Sequence, residues 1–274
     1  MSLRWRSELL LELRMRGCQA QLLGAGWTAH SQASASAGGS GGAALSAALA
    51  ALRLADVDTL PSIARLRVAD EYVLHRLIEG EGSRAMVLAQ ARAHFDQALG
   101  PGERHVMLLP LGRKRHRWLA SAINTSDLAA WTDALSQSGV YLADMQPMLF
   151  DEWQRLRDQI RDQDAVLVLL RDEGATLIRL IDGLPVDLLW ERFDPGDAAT
   201  LDRRLRAFAR TPQGRSLRPV WAQSDHADTA PPPTESTQVI YLLPESKTLC
   251  RYVWDRDAVD LAGDRAADAG AATP

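Results

Sequence analysis

The sequence has few cysteines and only a small excess of charge of one sign. Cys18 and Cys250 are its only cysteines, too few for a disulfide framework or a cysteine-built zinc site, which favours a reducing compartment. Lys and Arg number 31 against 35 Asp and Glu, which gives a net charge of −4. The chain therefore lacks the overall basic field that holds nucleic acid or an anionic membrane, and we expect no nucleic-acid partner.

The sequence also lacks a long apolar run. Glu8 and Glu12 interrupt the leucines near the N-terminus, so a signal peptide is not predicted. Residues 17–52 contain no Asp, Glu, Lys or Arg, but their middle is Ser, Ala and Gly instead of the roughly 20 apolar residues of a membrane helix. We therefore predict a cytoplasmic protein whose 274 residues form one compact unit with two lobes.

Patterns typical of metal sites and hydrolases are absent or weak. The six histidines never occur at HxxxH or HxxE spacing, so no metal-binding helix face is predicted. Residues 38–42 fit GxSxG and residues 39–44 fit GxGxxA, but a Ser- and Ala-rich approach replaces the strand that both motifs require. We interpret both matches as products of low sequence complexity.

Alternating and helical spacings predict an α/β protein with a duplicated architecture. We assign residues 1–71 and 139–162 to a first lobe, 72–138 to an inserted strand-and-helix subdomain and 163–254 to a shortened second lobe. The Gly- and Ser-rich segment 30–42 is predicted to be a flexible loop, and the acidic, Ala-rich segment 255–274 a disordered tail.

One local charge run stands beside an aromatic residue. Residues 113–117 are Arg-Lys-Arg-His-Arg and precede Trp118, a combination that would suit a phosphate backbone or an acidic protein surface. A solvated hairpin tip is the favoured interpretation, because the chain as a whole is acidic.

The order of elements resembles a degenerate actin-like fold, with ribonuclease H-like mixed sheets flanked by helices in each half. Residues 65–77 resemble the strand that leads into the insertion of a cytoplasmic actin-like domain, the one shared by the type IV pilus M protein and the type II secretion L protein. Residues 138–147 are similar to the segment where those proteins leave the first half, and residues 164–183 to the opening hairpin of the second. The likeness covers roughly residues 5–222.

Two hairpin turns decide whether we expect the chain to bind a nucleotide. Actin-like ATPases usually place an Asp-x-Gly type motif in a phosphate-binding turn near the start of each half. The first turn here, residues 14–18, has no acidic residue, whereas the second keeps a partial match in Asp172, Glu173, Gly174 and Thr176. The resemblance thus implies a degenerate phosphate turn with no cofactor, no metal and no hydrolysis.

The resemblance further implies a non-catalytic scaffold of a type IV pilus or type II secretion-like assembly platform. Such a scaffold links an assembly ATPase to inner-membrane subunits, for instance a small bitopic inner-membrane protein. Because the sequence ends at Pro274 without a membrane helix, we expect it to be peripheral at the inner membrane, held there only through partners. A homodimer stays open.

The expected partner site is an apolar peptide groove between the core and the inserted subdomain. Tyr72, Leu74 and Trp118 are its predicted apolar residues, with Arg113 and Arg115 beside them. Two other classes stay open. An actin-like small-molecule kinase or ATP-binding protein is the second hypothesis, and a nucleic-acid or anionic-lipid binder that uses residues 113–117 is the third.

Overall fold

The computed structural model describes residues 7–24, 31–55, 60–112, 116–158, 160, 165–194, 197–209, 218–222, 241–243 and 248–249. The chain divides into two units, residues 1–160 and 161–274. The predicted disordered tail, residues 255–274, lies outside the described residues. Within the described parts of the chain, no helix has the length and apolar composition needed to cross a membrane.

Five strands build the mixed sheet of the first unit. They are β1 (Glu8–Arg14), β2 (Gly17–Leu23), β3 (Ser31–Gly38), β4 (Ile63–Val68) and β8 (Tyr141–Pro147), in the order β3-β2-β1-β4-β8 across the sheet. β1 is antiparallel to β2 and parallel to β4. Leu9, Leu11 and Leu13 occupy every second position of β1, so they lie together on one buried face of the sheet.

Two helices cover that leucine face. α1 (Gly41–Leu54) buries Leu45, Leu49 and Leu52 at helical spacing, and α3 (Thr125–Gln137) adds Trp131 and Leu135 to the same cluster. A third helix, α4 (Met148–Leu156), follows β8 directly. We predicted residues 125–137 as part of the inserted subdomain; the structure corrects this boundary, since α3 packs against α1 in the core of the first unit.

The prediction of a flexible loop at residues 30–42 is wrong for its described part. Residues 31–38 form β3, and α1 begins at Gly41. Ala33, Ala35 and Ala37 pack against the core cluster, whereas the serines between them are exposed. Alternation of small apolar and polar residues is a strand pattern, and methyl groups suffice here because α1 lies close to β3.

The inserted subdomain has a sheet of its own. Its strands are β5 (Leu74–Glu79), β6 (Arg104–Leu111) and β7 (Arg117–Asn124), in the antiparallel order β5-β7-β6. α2 (Arg84–Leu99) packs on one face of this sheet through Val87, Ala91 and Phe95. The Ser83 hydroxyl accepts the Met86 N–H at 3.3 Å and caps the start of α2.

The second unit repeats the strand order of the first. Its elements are β9 (Ala165–Leu170), β10 (Gly174–Ile181), β11 (Leu184–Arg192), α5 (Ala198–Ala209), β12 (Arg218–Ala222), β13 (Tyr241–Leu243) and β14 (Thr248–Leu249). The order β11-β10-β9-β12-β13 matches β3-β2-β1-β4-β8, with β14 added at the end. α5 packs through Leu201, Leu205 and Phe208 on Val166 and Leu177.

The duplication extends to single hydrogen bonds. In the first unit the Gly39 N–H donates to the Arg16 carbonyl at 3.2 Å, which joins the end of β3 to the β1–β2 turn. In the second unit the Phe193 N–H donates to the Glu173 carbonyl at 3.0 Å, which joins the residue after β11 to the β9–β10 turn. Both turns also carry an arginine three residues before a glycine, in Arg-Met-Arg-Gly and Arg-Asp-Glu-Gly. The predicted duplicated architecture is therefore confirmed.

The thiol of Cys18 should be inert in the folded protein. Cys18 lies on the buried face of β2, and burial, with a smaller contribution from the Glu12 carboxylate, raises its pKa to about 12. Only about one thiol in ten thousand is then ionised at pH 8. We expect a Cys250→Ser variant to show no reaction with a disulfide reagent at pH 8 until denaturant is added, when one thiol reacts. Rapid labelling of the native variant would contradict this packing.

Candidate functional site

Three turns lie at the carboxyl edge of the first sheet. β1 is parallel to β4, and the two antiparallel pairings through β2 bring β3 into the same direction. The ends of these three strands therefore share one edge. The β1–β2 turn at residues 14–17, the β3–α1 turn at residues 38–41 and the 3₁₀ turn Asp70–Tyr72 lie there. In open α/β sheets this edge is the usual place for a ligand.

Tyr72 joins all three turns through its side chain. Its hydroxyl accepts the Gly41 N–H at 3.1 Å and donates to the Arg14 carbonyl at 3.4 Å. Its ring contacts Trp131 of α3 edge to face, with ring centroids 5.4 Å apart. The first amide of α1, a group that could otherwise hold an anion, is thus engaged by the tyrosine.

The GxSxG match is not a nucleophile elbow, although a strand precedes it and a helix follows. Ser40 has φ −133° and ψ 155°, an ordinary extended conformation instead of the strained turn that presents a nucleophile. The flanking glycines have backbone and packing roles. Gly41 has φ +55°, and a Cβ at Gly42 would lie 3.3 Å from the Cβ of Ala134 where α1 and α3 approach.

The second predicted phosphate turn packs internally. The Arg171 N–H donates to the Gly174 carbonyl at 2.9 Å, and Glu173 forms an ion pair with Arg192. Asp172 and Thr176 are both buried. A Cβ at Gly174 would overlap the Glu191 carbonyl oxygen, so glycine is required here for the close approach of β11. Close strand packing explains this glycine without a ligand.

A buried chain of three polar side chains lies where the core meets the inserted sheet. His75 Nδ1 is 2.7 Å from Ser121 Oγ, and His75 Nε2 is 3.2 Å from Asp70 Oδ1. The serine, histidine and acid resemble a hydrolytic triad, but Ser121 has no solvent exposure and cannot meet a substrate. The arrangement satisfies buried polar groups at the junction. No sequence pattern predicts it, because Ser121 reaches His75 only through the pairing of β5 with β7.

The structure separates the predicted groove residues. Leu74 is 43% exposed at the start of β5, and Tyr72 is half-buried in the contacts described above. Trp118 is only 3% exposed and belongs to the core between α2 and the inserted sheet, so its placement in an accessible groove is wrong. Arg113 and Arg115 lie outside the described residues.

Ion pairs occupy the other face of the first sheet. Glu8 pairs with Arg65 at 3.4 Å, and Arg67 bridges Glu12, at 3.3 Å, and Asp151 of α4. Burial raises the pKa of Asp151, while Arg67 opposes the shift. Among the described residues, no group of three or more His, Cys, Asp or Glu side chains is arranged to hold a metal. These charges therefore form a structural ladder across β1 and β4.

The repeated sheet order and the insertion in the first half define an actin-like fold. A scan of protein-family models finds no match, and a search of curated proteins finds none either. Solved structures do match, and the fold of this chain is similar to that of PilM and of the EpsL cytoplasmic domain. The predicted actin-like class, with duplicated mixed sheets and an inserted subdomain, is confirmed.

The individual likenesses are structural and distant in sequence. A PilM-PilN type IV pilus biogenesis complex matches with a TM-score of 0.54 and 14% identity, over 74% of this chain and 69% of that one. The cytoplasmic domain of EpsL, an inner-membrane component of the type II secretion system of Vibrio cholerae, matches with a TM-score of 0.53 and 13% identity. This match covers 86% of this chain and 88% of that one. A Bacteroides thetaiotaomicron protein with an actin-like ATPase fold matches with a TM-score of 0.52 and 11% identity, over 81% of this chain and 84% of that one.

Proposed function

We propose that this chain is a non-catalytic scaffold of a type IV pilus or type II secretion-like assembly platform. In this role it works in the cytoplasm, peripheral at the inner membrane, and links an assembly ATPase to membrane subunits. The proposal rests on the first turn of the actin-like fold. It has no carboxylate, and Tyr72 engages the helix amide beside it. The likeness to PilM, solved in a complex with PilN, and to EpsL supports the platform role.

A small-molecule kinase is not favoured. Phosphoryl transfer needs groups that position magnesium and the transferred phosphate. The first turn offers two arginines and no acid, and Thr176 in the second turn is fully buried. Both features fit a protein that keeps the fold of an ATPase for binding partners.

We place partner capture at Leu74, at the start of β5, on the face of the inserted sheet that also carries Ile78. This residue stands two positions after the Asp70–Tyr72 turn, so a peptide bound there would lie beside the junction of core and insertion. Leu74 is a large apolar side chain that pairs across the strands with Ala122 of the core under α2, yet it is itself exposed. An apolar cytoplasmic peptide of a bitopic membrane protein is the partner that this surface would suit.

The test is an affinity pull-down of the tagged chain from its own gently solubilised membranes, without nucleotide. We expect a hexameric assembly ATPase or a small bitopic membrane protein in the wild-type eluate, and its loss with Leu74→Glu. Leu54→Glu is the matched control, because Leu54 is also exposed but lies at the end of α1. Recovery of neither partner, together with a melting temperature raised by MgATP, would overturn the scaffold in favour of the kinase.

A further inference from the structure

One short turn connects the core of the first unit to the inserted sheet. It is the 3₁₀ turn Asp70–Tyr72, with the end of β4 two residues before it and the start of β5 two residues after it. The Ala69 N–H donates to the Leu13 carbonyl at 2.9 Å, so the chain is fixed to β1 where it enters the turn. The Val73 N–H donates to the Asp70 carbonyl at 3.0 Å, which holds the turn closed.

The last residue of this turn fixes it to the core. The Tyr72 hydroxyl bonds the Gly41 N–H and the Arg14 carbonyl, which belong to two other turns at the carboxyl edge of the first sheet. The Tyr72 ring lies against Trp131 of α3. A movement of the turn would therefore change contacts at three places in the core.

The first residue of the turn fixes it to the insertion. Asp70 Oδ1 is 3.2 Å from His75 Nε2 of β5, and His75 Nδ1 is 2.7 Å from Ser121 Oγ of β7. The side chains of Asp70 and His75 have no solvent exposure, and Ser121 has none either. Water cannot replace a lost partner inside such a cluster, so the three groups resist separation.

The start of β5 depends on this turn more than the other inserted strands do. β7 runs directly into α3, and Ile123 of β7 and Met107 of β6 pack with the core cluster. β5 is the edge strand of the inserted sheet, and none of its residues belongs to the described part of that cluster. Its first residue is the exposed Leu74.

We propose that the Asp70–Tyr72 turn couples the start of β5 to the carboxyl edge of the first sheet. A partner that displaces β5 at Leu74 would loosen the contacts of Tyr72, and a ligand that displaces the Tyr72 hydroxyl would loosen β5. The contacts that transmit the change exist in the free chain. The coupling is therefore independent of the platform role and of the identity of any partner.

The test removes one hydroxyl group at each end of the turn and follows amide hydrogen exchange of the full chain by NMR. Tyr72→Phe breaks the core end, and we expect exchange in β5 to become about threefold faster or more. Ser121→Ala breaks the insertion end, and we expect a similar acceleration at the Gly41 amide. Each effect is read at the end opposite to the substitution, where a purely local role predicts no change.

Two further hydroxyl groups provide matched controls. Ser83 caps α2 in the insertion, and Ser136 donates to the Thr132 carbonyl at 2.8 Å within α3 of the core. Ser83→Ala should accelerate exchange in α2 and leave the Gly41 amide unchanged. Ser136→Ala should accelerate exchange in α3 and leave β5 unchanged.

The double variant tests whether the two ends belong to one link. A link that is broken once transmits nothing more, so exchange in β5 of Tyr72→Phe/Ser121→Ala should stay within about twofold of the faster single variant. If Ser121→Ala does not fold, Asp70→Asn, which exchanges the charged acceptor for a neutral amide, takes its place. Changes confined to the substituted end, effects that multiply in the double variant, or equal distant effects in the controls would overturn the proposal.

Discussion

Replacing Gly174 with alanine should destabilise the second unit by more than about 2 kcal/mol. The added methyl group would overlap the Glu191 carbonyl oxygen and lie 3.0 Å from the Cα of Arg192. Both are backbone atoms of β11, which is paired with β10 along its whole length, so neither can move without disturbing the ladder. Urea unfolding followed by circular dichroism measures the loss, with limited proteolysis to show which unit opens.

Gly38→Ala is the matched control for this substitution. Gly38 is also a terminal residue of a strand, the last of β3, but the nearest atom to its added Cβ is the Arg16 carbonyl oxygen at 3.9 Å, an ordinary contact. We expect its free energy of unfolding to stay within about 0.5 kcal/mol of wild type. Equal stability of the two variants would show that the Glu191 carbonyl oxygen of β11 leaves room for a methyl group at Gly174.

The strands β1 and β2 of the first sheet were predictable because every second residue is buried on the same face. Leu9, Leu11 and Leu13 occupy alternate positions next to Glu8, Glu12 and Arg14, and Asp182-Gly183 marks the turn between β10 and β11. β9 and β10 are buried on both faces, and there the turn residues between apolar runs and the repeated order of elements predicted the duplicated fold. β3 was missed because its Ala-Ser alternation has the composition of a linker, and only the closeness of α1 makes methyl groups sufficient.

The site was harder to predict, because it depends on register and on which side of a strand is covered. β7 is buried at six consecutive positions, so its alternation does not show which face Trp118 occupies. The charged run before it suggested an exposed tip. The contacts of Tyr72 with Arg14 and Gly41, and of His75 with Ser121, join residues far apart in sequence, and no local pattern encodes them.

Trp118→Ala should destabilise the inserted subdomain by about 3–5 kcal/mol, the usual cost of removing a buried aromatic side chain. Trp118 packs with Ile78, Phe95 and Ala120 in the small core under α2, which has few other large side chains to fill the space. The cavity left by the Trp118 side chain would therefore disrupt the packing of most of that cluster. Hydrogen exchange of β5 and β7, compared with exchange of β1, measures whether the loss is confined to the insertion.

Trp118→Phe separates packing from the indole group. The Trp118 Nε1–H is buried without a hydrogen-bond partner in the described chain, so phenylalanine removes an unsatisfied donor while it keeps most of the apolar contact. We expect Trp118→Phe to stay within about 1 kcal/mol of wild type. If Trp118→Ala were as stable as wild type, Trp118 would have to lie at the surface instead of in this core. Because its loss should unfold the insertion, failed partner capture by Trp118→Ala would not identify a contact, and the folded Leu74→Glu variant is the one that can.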